Sequence, residues 1–296
     1  MADFWTLVST IDINAIIKDF LIAAAGAIGG AYGAQIIAEK AKSKEELVKE
    51  IRNTNASLAL TFSICNSLFS LKGQHVQRMR ETHAEQRAGF LDHIARRQRG
   101  ENVPEFRFLA DWQALSLPYL PVEILQKQLF EKLSVRGRAL NLITSLTQSL
   151  GTLQETFEKR NELIRSYQAR NLSQQDLPIL YFGLPYNGGH VNNEYPSTLD
   201  ILFSVTNDSI FFSHLLGKDL IKHGRRLVRR FEIKYGKDAP RIDKADFSIA
   251  IARGLMPPSD DYRDWLTMFM VKPRPPKSFW VRTRNRWHFW RKRGLA

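Results

Sequence analysis

The strongest hydrophobic pattern in the chain is the stretch Phe20–Ala38, FLIAAAGAIGGAYGAQIIA, which carries no charged residue. An apolar helix of about 18 residues is long enough to cross the ~30 Å hydrocarbon core of a bilayer. Charged residues close the stretch on both sides, and residues 1–19 form a short lead-in. The pattern therefore predicts a single transmembrane helix over residues 20–38. The alternatives are a helix buried in a soluble core and a segment lying in the membrane interface.

Small residues recur within this stretch at helical spacing. The members of this ridge are Gly26, Gly29, Gly30, Gly33 and Ala34. In lipid, small residues four positions apart let two helix backbones approach each other closely. The spacing therefore predicts self-association through this face, and hence a homo-oligomer.

The basic residues that flank the predicted span are unevenly distributed. Lys18 is the only one before it, whereas the next fourteen positions contain Lys40, Lys42, Lys44, Lys49 and Arg52. Because basic flanks remain on the cytoplasmic side, the asymmetry predicts a cell-membrane protein with its N-terminus outside and its bulk in the cytoplasm.

A long amphipathic pattern follows the predicted span. Ser43 and Glu46 form a capping box, the usual start of a helix. Apolar residues then recur every three or four positions as far as about Arg99, which predicts one long helix with a candidate break at Gly73.

A second long helix is predicted from Val122 to Arg170, and its apolar seam is typical of a coiled coil. The seam contains Ile143, Leu146, Leu150, Leu153, Phe157, Ile164 and Tyr167, and it misses one position at Arg160. Residues 100–121, between the two helices, hold three prolines and several large apolar side chains. Two long helices with a compact connector predict a long antiparallel helical hairpin over residues 43–170.

Residues 171–271 are predicted to be a smaller C-terminal helical region. It begins with an irregular loop, 171–197, rich in Pro, Gly and Asn, in which the apolar PILYFGLP run is a candidate for an edge strand or a packed loop. A helix follows over 198–235, and then two short helices. The long helix carries a stripe of Arg225, Arg226, Arg229 and Arg230, which are helical neighbours. Such a stripe is either a solvated face or a contact surface for phosphates and lipid headgroups. The fold class predicted for the whole chain is all-α.

The segment 272–296 is a basic aromatic tail. It contains nine Lys or Arg residues, no Asp or Glu, and three of the six tryptophans of the chain. The residues assigned to anion contact are Trp280, Arg282, Arg284, Arg286, Trp287, Trp290, Arg291, Lys292 and Arg293. Basic residues with interleaved rings suit the surface of an anionic bilayer. They also suit single-stranded nucleic acid, where rings stack on bases.

Composition adds an anionic partner to this picture and gives little support to catalysis. The formal net charge is +13, and a single cysteine, Cys65, excludes an intramolecular disulfide framework. The aspartates at 260, 261 and 264 form a run of the kind that holds magnesium-diphosphate, but that chemistry needs a second acidic cluster, which the sequence lacks. No phosphate loop, nucleophile elbow or zinc motif is present. We therefore predict no catalytic residue, no metal site, no cofactor and no enzyme activity.

Two functions fit these patterns. The first is a single-pass, membrane-anchored helical scaffold, sensor or effector that acts through self-association and contact with the anionic inner leaflet. Its further protein partner is unknown. The alternative is a nucleic-acid-binding protein that uses the Arg and Trp residues of the tail together with the stripe Arg225–Arg230.

Overall fold

The computed structural model describes residues 13–170, 176–186, 188–236, 238–244 and 246–268, with the side chains of residues 13–29 and 31 outside that description. The described chain is mostly helical, which confirms the all-α prediction. The elements are α1 Ile13–Leu71, a π-helical turn Lys72–Val76, α2 Gln77–Gln98, α3 Val122–Glu131, α4 Arg138–Ala169, α5 Asp176–Phe182, β1 Pro185–Tyr186, β2 His190–Val191, α6 Glu194–Tyr235, α7 Ser248–Ala252, a 3-10 turn Ser259–Tyr262 and α8 Arg263–Thr267. They belong to two compact units, which meet at Pro257 and Pro258.

The first long helix continues through the π-helical turn without interruption, because the residues at both junctions keep right-handed helical angles. The candidate break at Gly73 is therefore a π turn. Lys72, the first residue of this turn, is buried, and its Nζ donates to the carbonyl oxygen of Leu255 at 2.9 Å. The same Nζ lies 5.4 Å from the ring centroid of Phe203.

The helix α6 lies at the centre of the first unit and packs along both α1 and α4. Along α1, Thr61 faces Gly217 and Cys65 donates to the hydroxyl of Ser213, so the two helices run in opposite directions. Along α4, Arg138 pairs with Asp219 near the start of α4, and Tyr167 meets the ring of Tyr195 near its end. These helices are antiparallel as well. It follows that α1 and α4 run in the same direction, on either side of α6.

The antiparallel hairpin predicted over residues 43–170 is therefore wrong. The connector 99–121 does not turn the chain directly into the second long helix. It returns as non-helical chain alongside the bundle, and α3 continues that return antiparallel to α1, with Ser57 donating to Gln128 at 2.9 Å. Extended chain covers about 3.3 Å per residue against 1.5 Å in a helix, so a short connector can reverse a long helix. The chain reverses again at residues 132–137, and α4 then starts.

A seam of small side chains lets α1 and α6 approach closely. Thr54, Ser57 and Thr61 are fully buried on α1, and Ser209 and Ser213 are fully buried on α6. Most of their hydroxyls donate to the carbonyl oxygen one turn earlier in their own helix, so burial leaves them satisfied. The seam packs tightly because no large side chain separates the two backbones.

The apolar seam predicted on α4 is buried, but it packs against α6. The position that breaks the seam in the sequence, Arg160, lies on the same buried face and is 0% exposed. The coiled-coil interpretation treated this residue as a gap in the seam because a charged side chain does not belong to an apolar pattern. Here the guanidinium is accommodated by carbonyl oxygens of the connector.

The loop predicted over 171–197 is more ordered than the sequence indicated. The candidate strand is wrong, because Asp176–Phe182 is the helix α5, with buried Tyr181 and Phe182 side chains. A short hairpin follows, in which the two-residue strands β1 and β2 pair antiparallel. The helix α6 begins at Glu194, four residues before its predicted start. Packing of the Tyr181 and Phe182 rings against Phe108 and His83 stabilises a helix that is too short to form alone.

The predicted transmembrane segment lies in the first half of α1. Its backbone from Phe20 onward is helical, but the side chains of residues 20–29 and 31, including the ridge positions 26 and 29, lie outside the described residues. Within the part of the chain that could be searched, no helix is long and apolar enough to cross a bilayer.

The second unit contains the 3-10 turn and α8, in the region where a single short helix was predicted from Asp260 to Met270. Arg263 pairs with Asp260 at 3.1 Å, and both side chains are exposed. The basic aromatic tail 272–296 lies outside the described residues.

Acid is expected to destabilise the first unit through His214. This ring packs edge-on against Phe247 with centroids 4.6 Å apart, and burial, with a smaller contribution from Lys218, lowers its pKa to about 4. The unfolded chain takes up the proton near pH 6.5, so the contribution to stability is complete above that pH and is lost as the pH falls toward 4.

The measurement is urea unfolding of the full-length protein in detergent across this pH range, for wild type and for His214→Leu. The variant should show a flatter pH dependence, whereas His190→Leu, at an exposed histidine, should keep the wild-type slope. Equal slopes for all three proteins would contradict the assignment to His214.

Candidate functional site

The candidate site is the end of the bundle where α1 leaves it. There Lys234 Nζ donates to Ser43 Oγ at 2.8 Å, and the Tyr235 hydroxyl donates to the carbonyl oxygen of Lys40 at 3.4 Å. Below this point α1 projects alone: the described residues from Gly30 to Lys42 are exposed, apart from Gly33, which is half-buried. A projection from residue 13 to residue 42 is about 45 Å long at ~1.5 Å per residue.

The described members of the Gly/Ala ridge lie on this projecting part. Around Gly30 and Gly33, no atom of the described chain comes within 4 Å of the position that a Cβ would take. Ala34 is exposed. At these three described positions, no other part of the described chain covers the ridge.

The outer face of α6 at this end is strongly basic. Buried Leu220, Leu227 and Phe231 hold the helix against α1, which leaves the intervening positions in solvent. We call the exposed cations of this stretch the basal basic surface; they are Lys222, Arg225, Arg226, Arg229, Arg230 and Lys234. The stretch contains one carboxylate, Glu232.

All four arginines of the predicted stripe belong to the basal basic surface. Within the described residues, none of them forms an ion pair with a carboxylate. The nearby part of α1 adds the exposed side chains of Lys40, Lys42, Lys44, Lys49 and Arg52, interspersed with Glu39, Glu45 and Glu46. The positive charge of this end is left to be balanced by solvent ions or an anionic partner.

A partly buried polar cluster of Glu50, Ser134 and His223 fixes the helices that carry the surface. Glu50 Oε1 accepts hydrogen bonds from the Ser134 amide and hydroxyl and from His223 Nε2, the last at 3.2 Å. Burial raises the pKa of Glu50, but the bonds from Ser134 and His223 outweigh it, and the net pKa is lowered. Burial lowers the pKa of His223. The cluster ties the turn before α4 to both α1 and α6.

Serine, histidine and glutamate meet in this cluster, but not in the order of a nucleophilic triad. The Ser134 hydroxyl donates to the carboxylate of Glu50, and the His223 ring faces the same carboxylate oxygen. A nucleophile needs the hydroxyl bonded to the imidazole. The arrangement serves here as a structural clamp.

A pocket of about 520 Å³ opens between α6 and the segment 238–244. Its lining includes Arg225 and Arg229 from α6 and Arg241 and Lys244 from the segment. Asn55 holds the segment in place: its Nδ2 donates to the Arg241 carbonyl oxygen at 2.8 Å, and its Oδ1 accepts from the Asp243 amide at 3.3 Å. Sequence reasoning missed Arg241 and Lys244, because isolated basic residues near a proline form no motif.

The opposite end of the bundle is an aromatic cluster around a buried arginine. Tyr181 and Tyr195 stack with centroids 4.4 Å apart, and the Arg160 guanidinium lies 5.9 Å from the Tyr195 ring centroid. His83 Nε2 donates to the Tyr181 carbonyl oxygen at 3.0 Å, and burial lowers the pKa of His83. This end orders the connector and α5.

Metal-binding groups do not converge in the described residues: no three His, Cys, Asp or Glu side chains are grouped to hold an ion. The tail residues predicted to contact anions, from Trp280 to Arg293, lie outside the described residues.

A scan against protein-family models gives no match, and searches of curated proteins and of solved structures find none either. The fold and the site by themselves define a class: a three-helix bundle, supplemented by a returning connector, with a projecting helix and a basic end where that helix departs.

Proposed function

We propose that the protein is a single-pass, membrane-anchored helical scaffold, sensor or effector, acting through self-association and contact with the membrane surface. The observation that carries the proposal is the projection of α1 beyond the bundle at Ser43. The projecting part contains the uncharged stretch 20–38, and its described side chains have no protein cover.

Exposed apolar side chains on the projecting helix favour a bilayer as its surroundings. Tyr32, Ile36 and Ile37 are 67%, 47% and 71% exposed. Removing apolar surface from water stabilises by about 25 cal/mol per Å², so a long uncovered apolar helix gains strongly from insertion. Nineteen uncharged residues provide the length for a single span.

The distribution of charge supports an orientation with the bundle in the cytoplasm. Lys40, Lys42 and Lys44 lie within six residues of Ala38, about 9 Å along the helix. This distance is comparable to the Debye length, so the attraction of each lysine to an anionic leaflet contributes about 1 kcal/mol to membrane binding. The basal basic surface is a second group of cations, farther from Ala38 than these lysines. Arg229 lies level with Lys49 in the antiparallel register of α1 and α6.

Self-association through the ridge Gly26, Gly29, Gly30, Gly33 and Ala34 is part of the proposal. Its support is the small-residue spacing together with the open space around Gly30 and Gly33. Light scattering of the detergent-solubilised protein tests self-association by measuring its mass. A strictly monomeric mass would contradict self-association.

Nucleic acid remains the second candidate because the basal basic surface carries unpaired cations. The surface itself favours lipid, since sequence-independent single-strand binding also uses aromatic rings as stacking platforms. Between Lys222 and Lys234 the only aromatic residue is Phe231, which is 1% exposed. Rings for stacking would have to come from the tail.

Fractionation of the expressed protein tests the anchor. Membranes containing the full-length protein, or a form truncated after Val271, are washed with high salt and then at alkaline pH. We expect both forms to stay in the membrane pellet, because hydrophobic insertion resists both washes. Release by salt would contradict the anchor and favour an electrostatic partner such as nucleic acid, whose binding falls steeply with salt.

Cysteine labelling of cells that express the protein tests the orientation. Cys65 is buried, and burial raises the pKa of its thiol to about 12, so this native cysteine should react little with maleimide. A membrane-impermeant maleimide should label Ser9→Cys in intact cells, and Thr152→Cys, at an exposed position of α4, only after lysis. The reverse pattern would overturn the proposed topology.

A further inference from the structure

The pocket between α6 and the segment 238–244 has the properties of a built anion site. Four cations approach it from two separate elements, Arg225 and Arg229 on one side and Arg241 and Lys244 on the other. None of these four forms an ion pair with a carboxylate of the described chain. Four basic residues that line one pocket without an ion pair to the described chain favour binding of an external anion.

The two walls of the pocket are held in place before any ligand binds. Asn55 fixes the segment through its two bonds to the backbone of residues 241 and 243. Ile242 packs into the space that Gly224 leaves free, so closely that a Cβ there would lie 2.8 Å from Ile242 Cγ1. Binding therefore requires little ordering of the backbone, which removes a cost that flexible basic segments incur.

The charge of the pocket selects among anions. Glu232 and Asp243 also line it, so its four cations and two carboxylates leave two positive charges. A phosphomonoester carries about 1.5 to 2 negative charges at neutral pH, which matches this excess. Arginine forks bind phosphate oxygens in bidentate geometry. The pocket also has an apolar part, formed by Ile221, Val228 and Ile242, that suits a carbon skeleton.

We infer that this pocket binds a phosphomonoester group, supplied by a membrane lipid headgroup or by a free phosphorylated solute. The lipid source rests on the proposed function, because it requires the pocket to face a bilayer. In the register of α1 and α6, Arg225 and Arg229 lie 11 to 15 residues beyond Ala38, about 16–23 Å along the helix. A lipid ligand must therefore have a large, phosphorylated headgroup.

The test uses full-length protein in detergent, with a fluorescent inositol trisphosphate as the probe. Arg225→Gln combined with Arg241→Gln removes one guanidinium group from each side of the pocket. We expect binding of the probe to weaken at least tenfold. The matched control is Arg226→Gln with Arg230→Gln, which removes the same charge from the same surface outside this pocket. The control should stay within about twofold of wild type, because unspecific charge attraction contributes little per residue.

Equal weakening in the two double variants would overturn the inference, since net charge alone would then explain binding. Probe binding that inorganic sulfate displaces as well as phosphate does would overturn the phosphomonoester assignment. All four substituted residues are exposed, and matching unfolding curves of the variants show that lost binding is not lost folding.

Nanodiscs distinguish the two sources. Protein is reconstituted in phosphatidylcholine discs containing either a phosphorylated phosphoinositide or phosphatidylserine at equal surface charge. Weaker binding of the free probe only in phosphoinositide discs supports the lipid source. Equal binding in both discs supports a free solute. If the protein proves to have no anchor, the detergent assay still reports on the pocket, so failure of the proposed function and failure of this inference remain separate.

Discussion

Replacing Arg160 by alanine is expected to lower the free energy of unfolding by about 3–4 kcal/mol. The guanidinium is fully buried, and its Nη1 donates to the Gln113 carbonyl oxygen at 2.8 Å. Its Nη2 lies 3.3 Å from both the carbonyl and a carboxylate oxygen of Asp111. Truncation leaves the connector carbonyls of Gln113 and Asp111 without this donor and opens a cavity beside Tyr195. The half-exposed Asp111 carboxylate is compensated by water, which keeps the loss below that of a fully buried pair.

The effect should be concentrated in the connector, because Arg160, together with its neighbour Asn161, binds the backbone of the connector's middle to α4. Urea unfolding of the full-length protein in detergent gives the free energy, and limited proteolysis shows whether residues 105–117 become sensitive first. Arg165→Ala, at an exposed position of the same helix, should change stability by no more than about 0.5 kcal/mol. If Arg160→Ala lowers the free energy of unfolding by an equally small amount, the buried guanidinium does not stabilise the fold.

Replacing Gly183 by alanine is expected to lower the free energy of unfolding by about 2–4 kcal/mol. The residue has φ = +63°, where a Cβ costs roughly 1–2 kcal/mol. A Cβ would also collide with Asn193 Oδ1 and would lie 3.1 Å from Pro196 Cγ. These groups belong to the start of α6, so relief of the clash would displace the N-terminus of the central helix from α5.

Gly188→Ala is the matched control, since its φ is +85° and, among the described residues, no packed neighbour lies within 4 Å of the Cβ position. It should show the conformational penalty alone. Thermal unfolding compares the two, with about 2–4 °C expected per kcal/mol for a unit of this size. Equal melting temperatures for both variants would show that the close approach at Gly183 has no energetic weight.

The amino-acid sequence by itself determined where most helices lie and which faces they bury. The periodic apolar residues of α4 and α6 mark buried faces that the structure retains, because a helix is closed by hydrogen bonds four residues apart and its pattern is local. The uncharged stretch 20–38 and the spacing of Arg225, Arg226, Arg229 and Arg230 are likewise properties of the sequence. Their functional consequences, membrane insertion and anion contact, remain proposals.

Tertiary structure alone decided how these helices are arranged. Periodicity cannot distinguish a connector that turns the chain from one that returns beside it, so the parallel course of α1 and α4 was out of reach. Local rules also marked Arg160 only as a gap in the apolar seam, since they do not include a carbonyl oxygen 47 residues away. The pocket at Arg225 depends on Asn55 bonding to Arg241 across 186 positions, and contacts of such sequence separation are set by packing and leave no local pattern.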